Sequence, residues 1–125
     1  SSLATADVVF TGEGTDDSSG RSVSCGGDVN GDGIDDLVVG AQYESSVDAY
    51  TGAAYLVLGS SILTSGSLGS ASYQKWTGVS EDDYCGHKVS IQNVTGGSTS
   101  DVLIGCYLFG STDAGSGFVI NGLGY

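Results

Sequence analysis

The sequence predicts an all-β protein, and three observations carry that prediction. The chain repeats itself at an offset of about 66 residues. Its apolar residues fall in short Val/Leu/Ile/Tyr runs bounded by Gly, Ser and Asp. No stretch keeps a 3.6-residue apolar period long enough for a helix. The repeat is read from Phe10-Thr11-Gly12 against Trp76-Thr77-Gly78, Asp16-Asp17 against Asp82-Asp83, and Val23-Ser24 against Val89-Ser90. Further on, Asp36 to Gly40 matches Asp101 to Gly105, and Tyr55-Leu56-Val57 matches Phe118-Val119-Ile120. The offset shrinks only across loops, as expected of a duplicated unit with small deletions.

Each unit contains four β-type runs. They are placed near 7–12, 20–25, 36–41 and 53–59, then 72–77, 86–92, 101–106 and 117–122. Ser60 to Ser70 is small and polar and reads as a connector with at most one irregular turn. Leu37-Val38-Val39 and Val102-Leu103-Ile104 are apolar on consecutive residues, so those strands are expected to be covered on both faces, as in stacked sheets.

Composition narrows the class. The 22 glycines in 125 residues would indicate disorder only alongside Pro and few apolar residues, but Pro is absent and 39% of the chain is apolar. A formal charge of −12, with only Arg21, Lys75 and Lys88 as fixed cations, argues against nucleic acid and points to cations as counterparts. No apolar run approaches the ~20 residues of a membrane span. Ser1 opens no charged-then-apolar leader, so the segment is expected to be mature, soluble material.

The sharpest local signal runs from Asp28 to Asp36. Oxygen-bearing side chains at every second residue, Asp28, Asn30 and Asp32, can curl around one hard cation, while Gly33 permits the turn and the Ile34 carbonyl can serve as a ligand. Asp36 closes the set and can bind through both oxygens. An EF-hand needs flanking helices and a carboxylate at loop position twelve; that position is Val39, inside a β-type run. The expectation is one Ca2+ in a β-hairpin, with Mg2+ a poorer fit because it prefers a small octahedral shell that keeps several waters.

From Gly20 to Ala41 the chain closely resembles the FG-GAP repeat, the blade unit of integrin α-subunit β-propellers. The resemblance covers nearly all of residues 1–125 as two consecutive repeats. It implies two four-stranded antiparallel propeller-type blades and a calcium ion held by Asp28, Asn30, Asp32, Ile34 and Asp36 between a blade's first two strands. The sequence departs from the family pattern at Ser19 and Cys85, where the Phe of the FG pair would stand, and at Gln42 and Tyr107, where the Pro of GAP would stand. Asn93 to Ser100, the equivalent hairpin of the second unit, lacks the carboxylate series, so no second site of this kind is expected.

Residues 20–77 then make a full blade and 86–122 supply three strands of another, completed by a strand like 7–12 that arrives first, so the chain is permuted. Two blades cannot close a propeller. Either the chain is part of a larger one, or the strand of one copy completes the edge of a neighbour in a head-to-tail ring or filament.

Cys85 begins one strand and Cys106 ends its antiparallel neighbour, which predicts a disulfide and an oxidising, extracellular or cell-surface location. Cys25 aligns with Ile91 and is expected to be a buried thiol. Asn93-Val94-Thr95 is a glycosylation sequon on an exposed hairpin. His87, the single histidine, aligns with Arg21 and reads as a strand residue; no enzyme activity is expected. The loops opposite the calcium hairpin carry Asp16, Asp17, Tyr43, Glu44, Asp48, Tyr50, Asp82, Asp83, Tyr107 and Phe109, an acidic and aromatic face that could meet a protein or glycan.

Overall fold

In the computed structural model, which describes residues 2–122, the chain runs through β1 (Phe10–Thr11), β2 (Ser19–Gly27), β3 (Asp36–Ala41), β4 (Ala53–Val57) and β5 (Gly66–Ser67). A one-turn helix, α1 (Leu68–Ala71), leads to β6 (Gln74–Thr77), β7 (Cys85–Gln92), β8 (Asp101–Cys106) and β9 (Ser116–Ile120). The first unit forms a four-stranded antiparallel sheet in the order β2-β3-β4-β6, and the second a three-stranded antiparallel sheet, β7-β8-β9. The fold is therefore all-β, with its antiparallel strands close to their expected places.

Strand alternation divides the apolar residues of β3 and β4 between two cores. Val38, Ala54 and Leu56 point toward the second sheet and meet Ile91, Val102 and Ile104. Val39, Ala41, Ala53, Tyr55 and Val57 point the other way, where Leu68 and Phe10 cover them. Fully burying a side chain such as Leu56 contributes about 1.5–3 kcal/mol. β3 is thus covered on both faces, as its sequence predicts. β8 is not: Val102 and Ile104 are buried between the sheets, but Leu103 faces away and is only half-buried, because no further sheet packs there among the described residues.

The two sheets meet backbone against backbone. Ser22 Oγ accepts from the Val89 N–H at 3.0 Å and Ser24 Oγ from the Ile91 N–H at 3.1 Å. Gly40 lies directly on Gly86: a Cβ at Gly40 would collide with the Gly86 carbonyl, and a Cβ at Gly86 with the Ala53 carbonyl of β4.

Three expectations change. The strand foreseen at 7–12 shortens to two residues that pair in parallel with β5 of the same chain, Phe10 opposite Gly66 and Thr11 opposite Ser67. Phe10 finds apolar cover there, on the open face of β4. The connector 60–70 is more structured than its polar composition implies, since it supplies both β5 and the buried Leu68. Finally, Cys25 is an exposed free thiol and not a buried one. Its counterpart Ile91 is covered by the first sheet, whereas no sheet among the described residues lies over the corresponding face of β2.

Candidate functional site

The alternation of strands puts the hairpins 28–35 and 93–100 at one end of the sheets and the loops 42–52, 78–84 and 107–115 at the other. In the first hairpin, Gly33 has a left-handed φ of 86° with open space around it, which allows the chain to turn back within nine residues. Asp28 Oδ1 accepts from the N–H groups of Gly31 (2.6 Å) and Asp32 (3.1 Å), and its Oδ2 accepts from Gly33 at 2.7 Å. These bonds, the one from Gly33 foremost, hold the Asp28 carboxyl below its ordinary range against the cost of desolvation. Asn30 Oδ1 accepts from the Asp32 N–H, its amide donates to Asp32 Oδ2 at 3.0 Å, and Asp32 Oδ1 accepts from the Ile34 N–H at 2.8 Å.

Asp36 is almost fully buried and clasps the base of the loop: Oδ2 accepts from the Val29 N–H at 2.7 Å and Oδ1 from the Gly59 N–H at 2.8 Å. Asp101 repeats the clasp in the second unit, taking Val94 and Thr95 N–H on Oδ2 and Gly122 N–H on Oδ1. Sequence spacing assigns Asp36 to a cation; the structure gives it a backbone role that Asp101 shares without an acidic loop beside it.

The donors of the hairpin are all oxygens, and each carboxylate oxygen retains lone pairs beyond its N–H bonds, which suits a hard cation in kind. Both ion pairs among the described residues use Lys75, with Glu13 and Glu44, so neither compensates the hairpin's charge. In geometry the loop is drawn in on its own N–H groups, and among the described residues no three acidic, His or Cys side chains converge as a metal-holding group.

At the opposite end, the ten residues foreseen as one face separate. Asp17, Glu44 and Asp83 are buried and hold loops: Asp17 Oδ2 accepts from Gly14 N–H at 2.7 Å, Asp83 Oδ2 from Val79 and Ser80, and Glu44 Oε1 from Ser46 N–H and Lys75 Nζ. Phe109 turns inward against the core and meets Phe118 edge-on at 5.0 Å. Asp16, Asp48, Tyr43, Tyr50 and Tyr107 are exposed, and Asp82 is half-buried.

The residue that joins the tyrosines is one that sequence reasoning passed over. Tyr84 stacks on Tyr50 at 5.9 Å and on Tyr107 at 5.1 Å, and Tyr43 meets Tyr50 and Tyr84 edge-on. His87 tilts against Tyr107 at 4.9 Å, with Nδ1 at 2.6 Å from Gln42 Oε1; an amide oxygen needs a donor, so Nδ1 carries the proton. Burial, helped by Arg21 and Lys88, lowers the His87 pKa and favours its neutral form. Tyr84 donates to Asp82 at 2.8 Å, which pushes its phenol up to about 12. The available signal was its place directly after Asp82-Asp83, in a loop already assigned to this end.

Cys85 and Cys106 are joined by a disulfide, as their strand ends predict. Asn93 is exposed on its hairpin, where its amide donates to Gly97 O.

Comparison with protein families places the first unit. The family model described as FG-GAP repeat matches residues 19–57, from β2 through β4 and including the acidic hairpin. Over residues 19–57 the chain is similar to an FG-GAP repeat. That span is less than half of the chain; the relation of the second sheet to an FG-GAP repeat rests on its matching strand order, register and Asp101 clasp. No curated protein matches the chain. No helix among the described residues is long and apolar enough to cross a membrane.

Proposed function

We propose that the chain is a calcium-stabilised, extracellular structural module that associates head-to-tail by lending a β-strand to the sheet of the next copy, with no catalytic role of its own. The observation that carries this reading is the inequality of the two sheets. The FG-GAP sheet has four strands, whereas the second stops at β9, whose Ser116–Val119 stretch is exposed and unpaired on its outer side among the described residues. An open edge of this kind is a template for another strand. The Cys85–Cys106 disulfide supports an oxidising compartment. Asn93, exposed in its sequon, is the position where a secreted form would carry a glycan.

Calcium enters through Asp28, Asn30, Asp32, the Ile34 carbonyl and Asp36. A bound ion would neutralise the acidic hairpin and stabilise the folded state by mass action. Light scattering across a concentration series tests the assembly, and a monomer at every concentration overturns it. Melting with calcium or with EDTA tests the ion: the midpoint should fall on chelation, and an unchanged midpoint removes calcium from the reading.

The tyrosine stack favours a second reading, recognition of a protein or glycan through the face built by Tyr43, Tyr50, Tyr84 and Tyr107. Aromatic faces framed by acids are suited to contact. Tyr84→Ala, which removes the central ring, should weaken any ligand captured from a glycan array, and silence of the array and of pull-downs counts against it.

A further inference from the structure

We infer that residues 7–12 have two alternative seats, the one occupied within the chain and a second on β9 of another copy, so that the first is a latch that must open before assembly. The inference rests on the head-to-tail reading and assigns its joint and its register. In the first sheet, β6 pairs with β4 as Ala53 with Thr77, Ala54 with Trp76, Tyr55 with Lys75 and Leu56 with Gln74. The internal repeat carries β4 onto β9 and Trp76-Thr77-Gly78 onto Phe10-Thr11-Gly12. Transferring the register through both relations sets Thr11 of the incoming copy opposite Ser116, Phe10 opposite Gly117, Val9 opposite Phe118 and Val8 opposite Val119.

The chemistry of the empty place agrees with that register. Beside β9 lies an apolar cavity of about 250 Å3 lined by Trp76, Ile104, Cys106, Phe109, Phe118 and Ile120. Side chains directly opposite each other on paired strands share a face, so Val9 of the second copy points into this cavity with Phe118. In the first sheet the same place holds Lys75, whose ammonium is paired with Glu13 and Glu44. The exchange of Lys for Val follows the exchange of acidic for apolar surroundings. Phe10 falls on the other face, over Gly117, around which there is open space.

The seat within the chain is a light one. It consists of the two-residue β1–β5 ladder, the Gly66 N–H bond to Val9 O (3.1 Å), the Val9 N–H bond to Ser65 Oγ (2.9 Å), Phe10 against the outer core, and Glu13 on Lys75 at 2.8 Å. Val9 stays 44% exposed there, so its apolar side chain gains little from the latch. The latch and the joint compete for the same residues.

The test uses the full chain with Cys25→Ser as parent, to remove the exposed thiol. Phe10→Cys with Gly66→Cys, oxidised, locks the latch at a site with room for the new Cβ. The locked chain should stay monomeric at concentrations where the parent assembles. Mixing Val8→Cys chains with Val119→Cys chains should yield, by mass spectrometry, a disulfide joining position 8 of one chain to position 119 of the other. Val9→Cys, one residue out of phase, should crosslink at least about tenfold less. A locked chain that assembles like the parent, or an assembled parent without the crosslink, overturns the inference and leaves head-to-tail association standing. If the parent never assembles, a synthetic peptide of residues 5–13 carrying Val8→Cys decides: capture by the Val119→Cys chain upholds the β9 seat although association has failed, and no capture removes both.

Discussion

Asp36 and Asp101 hold the ends of their sheets together by accepting backbone N–H groups from two directions, a hairpin on one side and the exit of the third strand on the other. Replacing Asp36 with Ala orphans two N–H groups, each at a cost of about 1–3 kcal/mol. The loss should appear as a lower denaturation midpoint in EDTA as well as in calcium. For Asp101, N–H bonds from Thr95 first, then Val94 and Gly122, lower the pKa against its desolvation. A carboxyl with a depressed folded pKa adds stability that is complete above its unfolded value, about 3.9, and is lost as pH falls through the folded one. The melting temperature should therefore drop as the pH is taken down from about 4, and Asp101→Asn should flatten part of that drop. At this scale the sequence was partly legible. Alternating oxygens from Asp28 to Asp36 single out this hairpin, but nothing in their spacing shows that the closing Asp also clasps backbone N–H groups. Its recurrence as Asp101, without acidic neighbours, is the trace that the clasp leaves in the sequence. Likewise Asp17 and Asp83 pass for surface charge until their loops are seen to fold around them.

Among elements, the antiparallel strands were legible because burial on one or both faces writes itself into apolar spacing, and the repeat supplied each strand twice. β1 was not legible at its true length. Val8-Val9-Phe10-Thr11 has full strand composition, yet pairing depends on a partner that local sequence does not specify, and β5 offers two residues. The sheet-to-sheet contact was hidden for another reason: it is made by what glycine lacks. Gly40→Ala would drive a methyl group into the backbone at Gly86, so the sheets must part. Overpacking of this sort costs about 1–3 kcal/mol. Chemical denaturation should show the loss for Gly40→Ala and almost none for Gly97→Ala, where open space surrounds the backbone and φ is not left-handed.

For the whole molecule, the one disulfide falls on the three-stranded sheet. The Cys85–Cys106 bridge spans 21 residues and ties the start of β7 to the end of β8. A closed loop of that size is worth about 3 kcal/mol in the chain-entropy model. Cys85→Ser with Cys106→Ser should unfold at correspondingly lower denaturant, and the three-stranded sheet, lacking a fourth strand among the described residues, should lose amide-exchange protection before the first. The repeated Asp clasp gives the molecule one more property: it carries its own control. The hairpins 28–35 and 93–100 sit at the same end of equivalent sheets, each anchored by a buried carboxylate, and differ chiefly in whether the loop between is acidic. In a calcium titration followed amide by amide, the second hairpin reports everything that added salt, ionic strength or a general tightening of the fold would do. A response confined to the first trace would mark an ion at the acidic hairpin.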